Sequence, residues 1–244
     1  MAAAGRLPDA QVRAMFDRIA GVYDLMNGVM TAGMHHRWRS RAADLARVGP
    51  GSQVLDVATG TGDLAVELAS RGASVVGVDF SERMLELARA KAPGIEFAAG
   101  DAHALAYADG SFDAATVGFG ARNFGDLRQG LSEMARVVKP GGRVVVLEIT
   151  TPSKPPLSTF FSLWFDRVVP KLGRFAGDPD AYTYLPASVK RFPDAPSLAG
   201  LLHEVGLRDV GWILTAGGII ALHHGTRPDP TSPSSAAREA RDGG

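Results

Sequence analysis

Between residues 53 and 149 the chain alternates short apolar runs with stretches of helical spacing. The pattern predicts strands over Gln53–Val57, Ser74–Asp79, Ile95–Gly100, Phe112–Gly118 and Arg143–Ile149. It predicts helices over Asp63–Arg71, Ser81–Lys91 and Leu127–Val138. Strands alternating with helices argue for an α/β fold, a parallel sheet with helices on both faces. Lys139-Pro140-Gly141-Gly142 reads as a sharp helix stop and turn.

The flanks depart from this rhythm. Val12 to Ala20 and a second stretch from Gly33 to about Val48 have helical spacing. Two or three helices thus precede the first strand, and they are expected to cover the carboxyl ends of the strands as a lid. From Thr150 to about Ala176 the alternation stops. Leu157 to Leu172 is apolar nearly all round, the mark of a helix that is deeply buried or touches something greasy. Pro186 and Pro193 bracket a short segment, and Ser197–Val205 reads as a helix. Arg208–Leu214 and Gly218–His224 read as two strands joined through Ala216-Gly217, an antiparallel pair closing the sheet. The expected organisation is one domain over residues 10–225, with a helical lid at 10–48 and a substrate-side insertion at 150–195. Residues 1–9 read as a loose lead-in. Residues 226–244, rich in Pro, Ser, Arg and Asp, read as a disordered tail.

The chemistry concentrates after the first strand. Asp56 stands on it, and Gly60-Thr61-Gly62 then turns the chain into a helix that Asp63 is placed to cap. Glycines in such a turn let a ligand approach the backbone closely. Gly60-x-Gly62-x-x-Ala65 suits NAD about as well as S-adenosylmethionine. Two acids lean towards the latter. Asp56 can pin the turn through backbone N–H groups, and Asp79, ending the second strand, can accept two ribose hydroxyls. Ser81 is the natural cap of the following helix, which leaves Asp79 free for a ligand.

Composition narrows the field further. Lys+Arg and Asp+Glu both number 26, so no global positive field recruits nucleic acid. Cysteine is absent, which removes disulfides, thiolate catalysis and Cys-based zinc sites together. Apolar residues at 45% suffice for a sizeable core, yet no run of about 18 of them offers a membrane span. Met1 to Pro8 lacks the apolar region of a secretory signal, so a cytoplasmic protein is expected.

The residues also carry a resemblance. Phe16-Asp17-Arg18-Ile19-Ala20 through Tyr23-Asp24-Leu25-Met26-Asn27 form its first motif, and Gly33-x-His35-x-x-Trp38-Arg39 the second. Asp56 to Gly62, Phe119-Gly120-Ala121-Arg122-Asn123 and Arg136 to Gly142 follow. Tyr184-Leu185, Ser188-Val189, Phe192-Pro193 and Ala221-Leu222-His223 complete it. Over about residues 12 to 225 the chain resembles the class I S-adenosylmethionine-dependent methyltransferases, and among them the menaquinone/ubiquinone biosynthesis C-methyltransferases. The resemblance implies a Rossmann-like, twisted seven-stranded sheet whose last strand is antiparallel. It implies S-adenosylmethionine held at Thr61, Asp79 and the pair Asp101-Ala102. Gly60, Gly62 and Asp56 shape that site. Gly118 stands where the family often has serine, and offers only a backbone contact.

The implied reaction methylates a ring carbon of a polyprenylated quinol, demethylmenaquinol to menaquinol, without metal. The ubiquinone-pathway benzoquinol and another phenolic small molecule remain open as substrates. An NAD-dependent dehydrogenase and a cofactor-binding assembly subunit are the readings from other classes. Arg122 is the catalytic candidate. It can orient a water that takes the ring proton or stabilise the phenolate, or else pair with a carboxylate and only shape the loop. His35, Tyr23, Tyr182 and Tyr184 are weaker polar candidates. His35 and His36, being adjacent, are expected to point apart. The segment 157–172 is expected either to meet a prenyl chain or the inner face of the membrane, or to pack in the core or in a homodimer.

Overall fold

In the computed structural model, residues 9–229 are described except 32 and, between 153 and 178, all but 155, 159, 161 and 163. The apolar segment 157–172 therefore lies almost wholly outside the described residues. So do the two termini, and the side chains of Tyr23 and Tyr182.

Seven strands form one sheet: β1 (Gln53–Val57), β2 (Ser74–Asp79), β3 (Glu96–Ala99), β4 (Phe112–Gly118), β5 (Val138–Ile149), β6 (Arg208–Thr215) and β7 (Ile220–Thr226). Their order is β3-β2-β1-β4-β5-β7-β6. The first five run parallel, and β7 pairs antiparallel with both β5 and β6. The expected sheet and its antiparallel closure are both found. The chain also forms helices α1 (Asp9–Thr31), α2 (His35–Ala46), α3 (Asp63–Ala69), α4 (Glu82–Lys91), α5 (Leu127–Val137), α6 (Pro179–Arg191) and α7 (Ala195–Glu204), with short 3-10 turns at Ala121–Asn123 and Ala216–Gly218.

Burial follows the strand pattern. Val54 packs on one face with Leu64, Leu68 and Leu85 of α3 and α4. Leu55 and Val57 pack on the other with Leu131 and Met134 of α5 and Leu198 and Leu202 of α7. Successive strand side chains point to opposite faces, so each interior strand reads as almost continuously apolar.

Several expectations are corrected. The N-terminal helices do not act together as a lid. His35, Trp38, Arg39, Ala42, Ala43 and Ala46 form a buried stripe along α2, which makes it a core helix. Helix α1 lies over the strand ends, where its Asp17 accepts a hydrogen bond from Ser81 Oγ at 2.5 Å, and α2 reaches the cleft there with Arg39. Asp63 does not cap α3. Gly62 takes the cap position with φ 82° and Asp63 is the first helical residue. Ser81 does cap α4, accepting from the Met84 N–H. The helix before Lys139-Pro140-Gly141-Gly142 does stop, but the chain leaves it directly as β5. These four residues loop out between the register pairs Phe112↔Val138 and Ala114↔Arg143. Gly141 and Gly142 bond there to Arg227. Helix α6 runs through Pro186 rather than breaking at it.

Candidate active site

Strand order reverses between β1 and β4, and open α/β sheets bind ligands beyond the strand ends at such a point. The loops after these two strands touch there. Ala58 and Phe119 both hold left-handed backbone, φ 51° and 60°, which is strained for residues with a side chain. A Cβ on Gly120 would lie 2.6 Å from that of Ala58, so only glycine lets the loops meet. The cleft above them has about 1070 Å³ of atom-free space, counted out to its open mouth.

Asp56, Gly60, Thr61, Asp79, Asp101, Ala102 and Gly118 all line this cleft. Gly62 does not. It supplies a backbone turn against Phe97, whose ring a Cβ would strike at 2.9 Å. Asp79, not Asp56, pins the turn, accepting the Gly60 N–H at 2.8 Å and the Ser81 N–H at 2.9 Å. Asp56 accepts two hydroxyls instead, from Thr59 and Thr116, each at 2.6 Å. Thr116 is its register partner on β4, so the sheet itself brings that pair together.

Burial raises both carboxyls. It pushes Asp56 up to about 6, despite the two threonine hydroxyls and the nearby Arg39. Asp79 also rises through burial, against the pull of the Ser81 and Gly60 N–H groups. Asp101 differs. Its side chain is 66% exposed, and Oδ1 accepts from both the backbone N–H and Nδ1 of His103. Those bonds outweigh the burial cost and hold its carboxyl below the ordinary range. His103 Nε2 accepts the Asp126 N–H at 2.9 Å, so Nδ1 carries the ring proton.

Arg122 is not on the cleft wall. Its guanidinium donates to the Phe119 carbonyl and pairs with Glu148 at 2.7 Å, both side chains nearly inaccessible. These contacts are those the loop-shaping alternative expects, and Phe119, Gly120, Asn123 and Phe124 of the same loop do line the cleft. Asn123 is held in turn by the Tyr184 hydroxyl at 3.0 Å. His35 bonds Thr31 at 2.6 Å, and its ring lies 4.0 Å from that of His36, so the two do not point apart. Among the described residues no cluster of His, Asp or Glu could hold a metal.

Sequence reasoning missed Arg39, His103 and Arg13 on the wall. Arg39 carried a signal: it falls on the buried stripe of α2 between Trp38 and Ala42. A guanidinium cannot shed its charge by losing a proton, so one placed inside must find partners. Nη2 meets Asp63 at 3.0 Å, and Nη1 is buried without one. Lys91 also meets Asp63, at 2.7 Å, and donates to Thr61 Oγ1. Burial opposes ionisation of Asp63, but Arg39 and Lys91 outweigh it and hold the carboxyl low.

A family model for the ubiE/COQ5 methyltransferases matches residues 5–227. The chain belongs to that family. A demethylmenaquinone methyltransferase of Corynebacterium kroppenstedtii is 43% identical to this methyltransferase, over 89% of its chain and 95% of the relative. One of Thermus thermophilus is 45% identical over 88% and 100%. Among solved structures, a SAM-dependent methyltransferase of Thermotoga maritima superposes with a TM-score of 0.63. It is 21% identical and covers 88% of this chain and 98% of its own, which speaks for the fold alone. The class I methyltransferase fold and the methyltransferase activity expected from the sequence both hold, and the dehydrogenase alternative falls. No described helix is long and apolar enough to cross a membrane.

Proposed function

We propose that this enzyme methylates a ring carbon of a polyprenylated naphthoquinol, converting demethylmenaquinol to menaquinol with S-adenosylmethionine as donor. The observation that carries the reading is the 45% identity to a demethylmenaquinone methyltransferase matched over its whole length.

The cleft suits such a donor. Asp79 offers both carboxylate oxygens, and each keeps acceptor capacity beyond the backbone N–H it already holds. Asp79 is the residue for the ribose hydroxyls. Asp101 and Ala102 are those for the adenine, with Val78, Phe80 and Met84 giving apolar wall beside a flat ring. Gly60 and Thr61 face the amino-acid end. When bound, S-adenosylmethionine supplies an electrophilic methyl group on a cationic sulfur.

The chain's own share of the work is alignment and exclusion of water. Phe16, Phe119 and Phe124 line the cleft with Asn123 among them, an apolar surface suited to a quinol ring with one polar contact. Arg122 and Glu148 hold that surface in place from behind. A methyl-transfer assay with labelled donor tests the reading, with reduced demethylmenaquinone and reduced benzoquinol precursor offered side by side in lipid. Label on the naphthoquinol is expected. Label on the benzoquinol alone would overturn it.

A further inference from the structure

Among the described residues, most charges on the cleft wall are acidic: Asp56, Asp63, Asp79 and Asp101. Arg13 and Arg39 there differ in situation. Arg13 lies at the Asp101 end, with its guanidinium 5.6 Å from the centre of the Phe80 ring. Arg39 lies beside the turn at Gly60 and Thr61, and its side chain is 8% exposed.

Asp63 is not held by this cation alone: its carboxylate meets both Arg39 and Lys91. The Nη1 group of Arg39 remains a buried donor with no acceptor among the described residues. A buried N–H left unmade is costly, and the residue that carries this one lines an open cleft. An anion entering at the turn would satisfy that donor. A planar guanidinium suits a carboxylate above other anions of that size.

We propose that Arg39 is the receptor for the carboxylate of the donor's amino-acid moiety, taking it through Nη1 while Nη2 stays on Asp63. The inference rests on the donor assignment made above and extends it to a residue on α2, a helix otherwise devoted to the core. The competing occupant of Arg39 is the phenolate of the acceptor, and the test separates the two.

Calorimetry on the full chain would compare S-adenosylmethionine with decarboxylated S-adenosylmethionine, which differs only in the missing carboxylate. The wild-type protein is expected to prefer the carboxylated compound by about 10- to 100-fold, the scale of a desolvated charge-assisted pair. Arg39→Gln is expected to bring that ratio close to one by weakening the carboxylated ligand alone. Arg39→Lys keeps the charge and the Asp63 pair but not the fork, and is expected to fall between. Should Arg39→Gln not fold, the wild-type ratio and the lysine variant decide. Equal wild-type affinity for the two ligands would overturn the proposal. So would a parallel loss of both in the glutamine variant, or an unchanged ratio with a raised KM for the quinol. If the wild-type protein binds neither compound, the donor assignment itself fails and takes this inference with it.

Discussion

On the floor of the cleft, Asp56 and Asp79 stand on strands, and their partners are backbone N–H groups or hydroxyls beside them. On the roof, the cleft-lining groups hang on side-chain ties between separate elements. Arg122 reaches Glu148, Tyr184 reaches Asn123, and Ser81 holds α1 through Asp17. The floor is thus set by sheet register and local turns, and the roof by a few long-range bonds. The floor should resist mutation of its surroundings but lose the ligand when an acid is removed. The roof should loosen as a unit when one tie is cut.

Cutting the buried ion pair gives the largest expected effect. Glu148→Leu takes the Glu148 carboxylate away from the Arg122 guanidinium. It also strips an acceptor from the N–H groups of Arg122 and Ile149. Breaking a buried pair on one side costs about 3–5 kcal/mol. In a chain of this length that lowers the melting temperature by about 6–20 °C. Turnover is expected to fall further than donor affinity, because the floor acids are untouched. The double variant Arg122→Met with Glu148→Leu is expected to recover part of the loss, since no charge is then stranded. Thermal unfolding of both variants checks this, and an unchanged melting temperature in the single variant would remove the pair from the roof's support.

The same division decides what could be read from the sequence. Asp79 at a strand end and Ser81 capping the next helix were legible because local spacing fixes both. The parallel sheet and its antiparallel closure followed from the alternation and the closing hairpin, whereas the order of the strands did not. The roof was not legible in this way. A motif containing Arg122 says that a cation is present, but not whether it faces the cleft or turns back onto β5. That depends on Glu148, on another strand. Asp63 misled for a related reason. Its position suits a cap, yet Arg39 and Lys91 claim the carboxylate from two other helices. Lid and core could not be told apart for α2 until its stripe was seen packed against β4, β5 and α3.

On the floor, the next largest effect is electrostatic. The folded chain raises Asp56 from 3.8 to about 6 through burial. Between about pH 4 and 6 the folded state holds a proton that the unfolded state has lost. The contribution of this group to stability is therefore complete below pH 4 and is lost as pH rises through 6. A shift of two units corresponds to about 3 kcal/mol. Asp56→Asn stays uncharged throughout and can still meet both threonine hydroxyls. The variant is expected to match or exceed wild-type stability at pH 7.5, by up to about 3 kcal/mol. Denaturant titrations of both proteins across pH 4 to 7 read the difference, and parallel curves would refute it.

Removing the other floor acid should act on the ligand instead. Asp79→Ala frees the N–H groups of Gly60 and Ser81 and takes away both oxygens offered to the ribose. Donor affinity is expected to drop by at least about 10-fold, roughly 1.4 kcal/mol. The roof ties should survive, so a smaller change in melting temperature is expected than for Glu148→Leu. Calorimetry with S-adenosylhomocysteine measures the affinity. No change would take Asp79 out of the binding site and leave it as a turn anchor only.

The smallest effect tests whether the roof really moves as a unit. Tyr184 is 9% exposed and packs among Val12, Met15, Phe161 and Val189; Tyr184→Phe keeps its ring and removes only the hydroxyl that reaches Asn123. Asn123 borders the open cleft, so water can replace the lost donor and the cost should sit near the low end for a hydrogen bond, about 0.5–1 kcal/mol. That is about 1–4 °C in melting temperature. Donor affinity should not change, because no floor group is touched. The KM for the quinol should rise, because Asn123 is the polar group among the roof's aromatic rings and its amide is then free to turn. If donor affinity falls as much as quinol affinity, floor and roof are coupled through the 119–124 loop. The strained contact of Phe119 and Gly120 with Ala58 would then be the route by which a loosened roof disturbs the turn that Asp79 holds.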